Sequence, residues 1–287
     1  MVYNKRVDGR GFDELRPIEA KAGVIPKADG SAYFKMGKTV AYAAVYGPRE
    51  LFPKFMQDPK KGILRVNYNM MPFSGAGERV RPGPSRRSKE ISMVSEKALS
   101  TVLNLDDYPN AVVDVFIELP QTDAGSRCCG INAAAIALAD AGLAMRDLVS
   151  AVAVGQADNR VIVDLNYEEE HLPEFVDHVD SEHVADIPVA MVPSTGEITL
   201  LQMDGIVNRE ALMEALHKAA AAIPQISAIQ RNALKQKFHG ETGEGLNGNN
   251  GHNGQSAGNG NSGATTQTAP ADNESDSTDT GADLTQG

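Results

Sequence analysis

The segment 130–141 is small and apolar all round, and a helix with no polar face must be enclosed on every side. That requirement dictates layers above and below it. Just upstream, Val113, Val115, Ile117 and Leu119 alternate with Asp114, Phe116 and Glu118, the period of a half-buried strand. A short loop, 120–127, joins the two. Further upstream, Ile91, Val94, Ala98, Leu99, Val102 and Leu103 recur at three and four from Ser85 onward, so an amphipathic helix is expected there.

The flanks read as strands and hairpins. Residues 18–25 and 31–37 flank the turn Lys27-Ala28-Asp29-Gly30 as a hairpin. Residues 39–46 form a near-continuous apolar run, a buried strand that Gly47-Pro48 is expected to end. Residues 63–69 are a further strand, and 74–84 a Gly- and Pro-rich loop. Segments 150–156 and 160–166 flank Ala157-Asp158-Asn159 as a second hairpin. A third joins 186–191 to 197–203. Asn208 suits the N-cap of a helix from Arg209, which Pro224 is expected to break or kink before a last helix to about Phe238. Strands and helices interleave with hairpins among them. The expected class is therefore α+β, in mixed α/β layers rather than a strictly parallel sheet.

Charge divides the chain. Lys and Arg number 27 against 38 Asp and Glu, for a net charge of −11. Residues 240–287 hold seven of the acids and no Lys or Arg, which leaves about −4 for residues 1–239. The 240–287 tail is Gly, Asn, Ser and Thr with almost no large apolar side chain. It is expected to be disordered, with residues 1–239 as the folded domain. The acidic balance suggests a high-salt interior. No apolar run approaches about 18 residues, so a membrane span is not expected. Residues 1–10 lack the apolar core of a secretory signal, and the adjacent Cys128 and Cys129 make neither a disulfide framework nor a metal cage. A cytoplasmic, reducing location is the expectation. The two cysteines read as small packing residues.

Two local features carry chemistry. Gly125-Ser126-Arg127 stands immediately before a helix. Glycine admits close approach, serine adds a donor, arginine presents a fork for phosphate oxygens, and the first helical N–H groups favour an anion. From Arg79 to Lys89 the chain carries Arg79, Arg81, Arg86, Arg87 and Lys89 with no acid between, a reversal of sign in an acidic chain that suits nucleic-acid phosphates. Two arginines at a helix N-terminus oppose the helix dipole, a small cost that a bound phosphate would relieve.

Set in order, the polar residues carry a resemblance. They are Arg6-Val7-Asp8-Gly9-Arg10, Glu14-Leu15-Arg16-Pro17, Ala28-Asp29-Gly30-Ser31-Ala32, Val45-Tyr46-Gly47-Pro48-Arg49-Glu50, Pro84-Ser85-Arg86-Arg87, Asp123-Ala124-Gly125-Ser126-Arg127, Ala139-Asp140-Ala141-Gly142 and Ala185-Asp186-Ile187-Pro188-Val189-Ala190. Each piece is weak alone, but the ordered set resembles the RNase PH family, and within it the catalytic RNase PH-like subunits of the archaeal exosome, over roughly residues 4–238.

The resemblance implies an RNase PH-like fold, similar to the ribosomal protein S5 domain 2-like architecture. It implies a phosphate-dependent 3′→5′ exoribonuclease that releases nucleoside diphosphates and runs backwards to add tails. It also implies a hexameric ring shared with a related inactive subunit, and an RNA-binding cap. Inorganic phosphate is then the co-substrate, held by Gly125, Ser126 and Arg127. Arg86 and Arg87 fall on the family's RNA-backbone arginines, and Arg65 and Tyr68 resemble its pore constriction. Asp186 falls on one of a carboxylate pair that holds Mg²⁺ or Mn²⁺ or serves as general acid.

The partner carboxylate departs from the family's pattern. Glu168-Glu169-Glu170 stands where the family ends in Asp, and the link from His171 to Ala185 is longer than usual. Glu170, Asp177 and Asp180 all remain open as partners of Asp186, with Glu170 the first choice. His171, His178 and His183 do not match a compact metal motif. Two other functions compete: a non-catalytic RNA-binding ring subunit, favoured by Glu170 and the long link, and a small-molecule phosphate enzyme, which would not need the basic stretch.

Overall fold

The computed structural model describes residues 5–76, 79–157, 160–171 and 184–244. The first sheet takes its strands from β1 (Ile18–Ala22), β2 (Gly30–Met36), β3 (Thr39–Glu50), β4 (Ile63–Met70) and β5 (Ala111–Gln121). Their spatial order is β1-β2-β3-β5-β4. All neighbours are antiparallel except β4 and β5, which run parallel with Arg65 opposite Asp114. The parallel pair needs a crossover, and helix α1 (Arg86–Ser100) supplies it, packed on β4.

Helix α2 (Ser126–Asp140) is the enclosed helix that its composition demands. It packs against β2 and β3 on one side and, on the other, against β6 (Ser150–Ala157), so it lies between the two sheets. From Cys128 to Leu138 every residue is buried. Gly30 is required by this closeness, since a Cβ there would stand 2.3 Å from the carbonyl oxygen of Ala137. The second sheet is antiparallel, in the order β7 (Arg160–Val163), β6, β8 (Val184–Met191) and β9 (Ile198–Leu201). A single turn, α3 (Tyr167–Glu170), precedes β8, and the long helix α4 (Arg209–Glu244) covers β6 and β1.

These mixed layers match the expected class, and all three expected hairpins form. Two expectations at proline are corrected. Gly47-Pro48 does not end β3. The strand continues to Glu50 across a register shift between Tyr46 and Arg49, and that irregularity accommodates a residue with no N–H to give the ladder. Pro224 does not break α4 either: one helix runs from Arg209, its N-cap Asn208 accepting the N–H of Ala211 at 2.8 Å. Ala222, Ile223 and Ile226 are buried around the proline, and this packing outweighs one lost helical bond. The helix also passes residue 239, while the rest of the tail lies outside the described residues.

Candidate active site

A cavity of about 600 Å³ opens where the N-terminus of α2 meets α3, β8 and the segment after β9. Arg87, Gly125, Ser126, Arg127, Glu170 and Asp186 all line it. Six of the nine residues expected from sequence to form the site thus meet in one place, from positions spread over a hundred residues of chain.

The α2 end of the cavity is shaped by backbone. Ala124 and Gly125 are both left-handed, with φ of 57° and 61°, and they turn the chain sharply into the helix. Gly125 has no side chain to cap the first turn, so its N–H groups are left for an anion. Tyr68 donates its phenolic O–H to the Ser126 hydroxyl at 2.8 Å and so fixes that rotor. Arg127 reaches into the cavity while its Nη1 donates to Gln202 Oε1 at 2.6 Å. Together these groups offer serine, guanidinium and main-chain donors to one phosphate-sized ligand.

The carboxylate end is held by buried ion pairs. Arg6 is almost wholly buried and donates through Nε and Nη2 to the two oxygens of Glu169, each at 2.7 Å. Glu169 also completes a capping box with Asn166, the bonds being 2.9 Å and 3.1 Å. Arg16 grips the two oxygens of Asp164 with Nε and Nη2 at 3.0 Å and 2.7 Å, and donates through Nη1 to the Asp123 carbonyl. Tyr167 N–H meets Asp123 Oδ1 at 3.2 Å. Helix α3 is therefore tied at several points, and Glu170, next to the anchored Glu169, is directed into the cavity.

Burial and mutual charge act on Glu170 and Asp186. Burial pushes Glu170 above the usual carboxylate range and the nearby charge of Asp186 adds to it, against the opposing Gly125 N–H, Arg16 and Arg87. Burial also raises Asp186; Arg127 opposes this, and Asp204 adds to it. The pair thus retains a proton well above the pH at which an exposed carboxylate loses it. One Asp186 oxygen, Oδ1, is buried with no hydrogen-bond partner. A lone buried oxygen beside a second carboxylate suits a hard divalent cation, which keeps waters and takes one or two carboxylates. Among the described residues no group of three or more His, Cys, Asp or Glu is spaced to hold a metal. The residues present therefore fit Mg²⁺ or Mn²⁺ bound through Glu170, Asp186, water and substrate oxygens, rather than an all-protein cage.

Three expected residues lie elsewhere. Tyr68 is a core side chain at 4% exposure, its hydroxyl pushed up to about 12 by burial, so it presents no face on which a base could stack. Arg65 is spent on a paired grip of Asp114 at 2.6 Å and 2.9 Å, outside the cavity. Arg86 is exposed at the start of α1, beyond the cavity lining. Asp177, Asp180, His178 and His183 fall outside the described residues, while Arg79 is exposed and outside the cavity lining. Cys128 and Cys129 are buried with thiols raised by desolvation, which suits packing rather than nucleophilic chemistry. Sequence reasoning missed Asp204 and Gln202, which join the site through tertiary contacts, and the Tyr167–His171 stack on the cavity wall, with ring centroids 4.2 Å apart.

Comparison with known proteins agrees with this geometry. The models of the 3′ exoribonuclease family match domain 1 over residues 14–144 and domain 2 over residues 147–222. The exosome complex component Rrp41 of Thermococcus kodakarensis is 50% identical over 234 residues, covering 82% of this chain and 90% of the relative. The protein of the same name from Methanopyrus kandleri is 47% identical over 236 residues, 82% of this chain and 94% of the relative. Among solved structures, rice Rrp46 superposes with a TM-score of 0.69 at 25% identity, covering 80% of this chain and all of that one. The Archaeoglobus fulgidus exosome with RNA bound to the active site gives a TM-score of 0.65 at 25% identity, covering 82% and 93%.

Proposed function

This chain belongs to the 3′ exoribonuclease (RNase PH) family, and on that premise we propose that it is the phosphorolytic 3′→5′ exoribonuclease subunit of an exosome. The observation that carries the reading is the meeting, in one cavity, of an anion cradle, a basic helix start and a proton-holding carboxylate pair.

Each group has a part. Ser126, Arg127 and the first N–H groups of α2 bind inorganic phosphate and aim one of its oxygens at the last phosphodiester of the RNA. Arg87 meets the scissile phosphate and offsets the charge that builds on its oxygens in the transition state. The P–O bond to the departing ribose 3′ oxygen breaks as the new P–O bond forms. The leaving oxygen takes a proton from the Glu170–Asp186 pair, which burial keeps available near neutral pH. The products are a nucleoside diphosphate and an RNA one nucleotide shorter. Excess diphosphate reverses the step and adds tails. A Mg²⁺ or Mn²⁺ ion held by Glu170 and Asp186 would supply charge neutralisation between carboxylates and phosphates.

Arg86 extends the RNA contact along α1, beyond the cavity. A related inactive subunit completes a hexameric ring, and RNA-binding cap subunits feed it. Arg65 lies at the sheet's β4 edge, half exposed, where its Nη1 can meet a strand of RNA while Nε and Nη2 stay on Asp114. No helix among the described residues is long and apolar enough to cross a membrane.

The test is a radiolabelled oligo(A) assay with the chain alone and with its ring partner, with and without phosphate. Nucleoside diphosphates are expected only with phosphate, and are expected to disappear in D186A. RNA that is bound by the assembled ring but never shortened would instead support a non-catalytic subunit.

A further inference from the structure

We infer that Gln202 is a positioning residue: it holds Arg127 for phosphate and links it to the helix that carries the RNA-binding arginine Arg87. The inference deepens the functional reading above and rests on it.

Arg127 Nη1 donates to Gln202 Oε1 at 2.6 Å, and Gln202 Nε2 donates to Glu90 Oε1 at 3.0 Å. The chemistry of the two ends selects the middle. A guanidinium only donates and an ionised carboxylate only accepts, so the side chain between them must accept on one side and donate on the other. A primary amide does both without charge. Glutamate at position 202 would confront Glu90 with a like charge, and lysine would confront Arg127. Both bonds of the amide involve a charged partner, and such bonds are the stronger kind.

The link joins two parts of the site. Glu90 lies three residues after Arg87 on α1, hence on a neighbouring stretch of the same helix face. Gln202 follows β9, which packs against α1. Two residues further on, Asp204 exchanges main-chain hydrogen bonds with Asp186 at 2.9 Å and 2.8 Å. This one short segment therefore sets the Arg127 fork through a side chain and pins the Asp186 backbone through a main-chain bridge. With Nη1 committed to Gln202, the other N–H groups of Arg127 are oriented toward the cavity that it lines. Without the amide, the long arginine side chain would lose that orientation and phosphate would have to order it on binding.

The experiment uses the full-length chain in its native complex, with initial rates of diphosphate release measured against inorganic phosphate at saturating oligo(A). Q202A should raise the phosphate KM about tenfold while kcat falls by less than about threefold, since one charge-assisted bond that orients a binding group is lost. Its affinity for oligo(A) without phosphate should stay at the wild-type value. E90A, at a residue outside the cavity lining, should raise the phosphate KM in the same direction. E90Q, whose amide oxygen still accepts from Gln202, should restore it. The double variant Q202A/E90A should be no worse than Q202A.

A folded Q202A with the wild-type phosphate KM overturns the inference, as does one that loses kcat alone. If Q202A fails to assemble, an unchanged phosphate KM in E90A overturns it. Wild-type product release that ignores phosphate overturns the functional reading itself, an outcome distinct from these.

Discussion

The Glu170 carboxylate lines the same cavity as Gly125, whose main-chain N–H opposes the rise that burial imposes on the acid, so the group that faces Asp186 also borders the residue that opens the phosphate cradle. Glu170 is thus placed between the two halves of the reaction. E170Q separates its two roles. The amide keeps the size of the acid and a polar oxygen at the same place, while the group can no longer share a proton with Asp186. Diphosphate release should fall by about 10²-fold or more, the range for loss of a general acid–base group, with phosphate KM little changed. Single-turnover kinetics on a labelled oligonucleotide would measure it. A rate within a few-fold of wild type would mean that Asp186 acts without its neighbour.

The same pair sets a pH dependence of stability. Both carboxylates are raised in the folded chain, so the native state binds more protons than the unfolded chain between the ordinary carboxylate range and neutrality. The stability from this pair is fully present below the unfolded pKa values and is lost as pH rises through the folded ones. D186N removes the Asp186 share of this loss and leaves that of Glu170, so it should lose less stability over the same rise in pH. Its stability relative to wild type should be lowest near pH 4 and should rise toward pH 8 by on the order of 2 kcal/mol. Urea unfolding of both proteins across that range reads the difference, which cancels the opposite slope from the lowered Asp114 and Asp147. A flat difference would show the pair to be ionised at no cost.

Much of this was legible in the chain itself. The all-round apolar segment predicts an enclosed helix, and Gly125-Ser126-Arg127 before it predicts where an anion would sit. Residues close in sequence declare themselves through period and order. The Arg6–Glu169 pair, separated by 163 positions, shows nothing of the kind, and neither do Gln202 and Asp204, whose roles come from a strand pairing and a side-chain contact. The partner of Asp186 was open among three acids because spacing alone cannot say which returns to the cavity; the anchoring of α3 by Arg6 brings Glu170 there. Tyr68 shows the same limit, because a tyrosine alternating along a strand reads the same whichever face is buried, and here its ring packs inward beneath α2.

Tyr68 yields a test of that inward placement. Y68F removes the hydroxyl that fixes Ser126 and keeps the ring volume in the core. Stability should fall by about 1 kcal/mol, the net worth of one hydrogen bond, and phosphate KM should rise because the Ser126 rotor is released. Oligo(A) affinity without phosphate should not change. Chemical denaturation and fluorescence anisotropy distinguish the effects. Weaker RNA binding with unaltered phosphate KM would return Tyr68 to the RNA path.

Arg6 is far from the reacting atoms and should still control the rate. Its fork satisfies both oxygens of Glu169 and also donates to the carbonyls of Val163 at 2.9 Å and Asp164 at 2.8 Å, all within the core. R6A would leave Glu169 buried and unpaired, at a cost of about 3–5 kcal/mol, and the fold would be compromised before the chemistry could be read. R6K is the informative variant. Lysine keeps the charge but cannot make the two parallel bonds that orient Glu169. The capping box of α3 then loosens, and the adjacent Glu170 shifts in the cavity. A displacement of about 1 Å is enough to cost a large part of the rate. We expect R6K to lower kcat by at least about tenfold while phosphate KM and oligo(A) affinity stay near wild type, because Arg127, Ser126 and Arg87 are held by other elements. Steady-state kinetics on the purified complex would test it. Equal losses in binding and turnover would show instead that Arg6 supports the whole domain rather than the placement of Glu170.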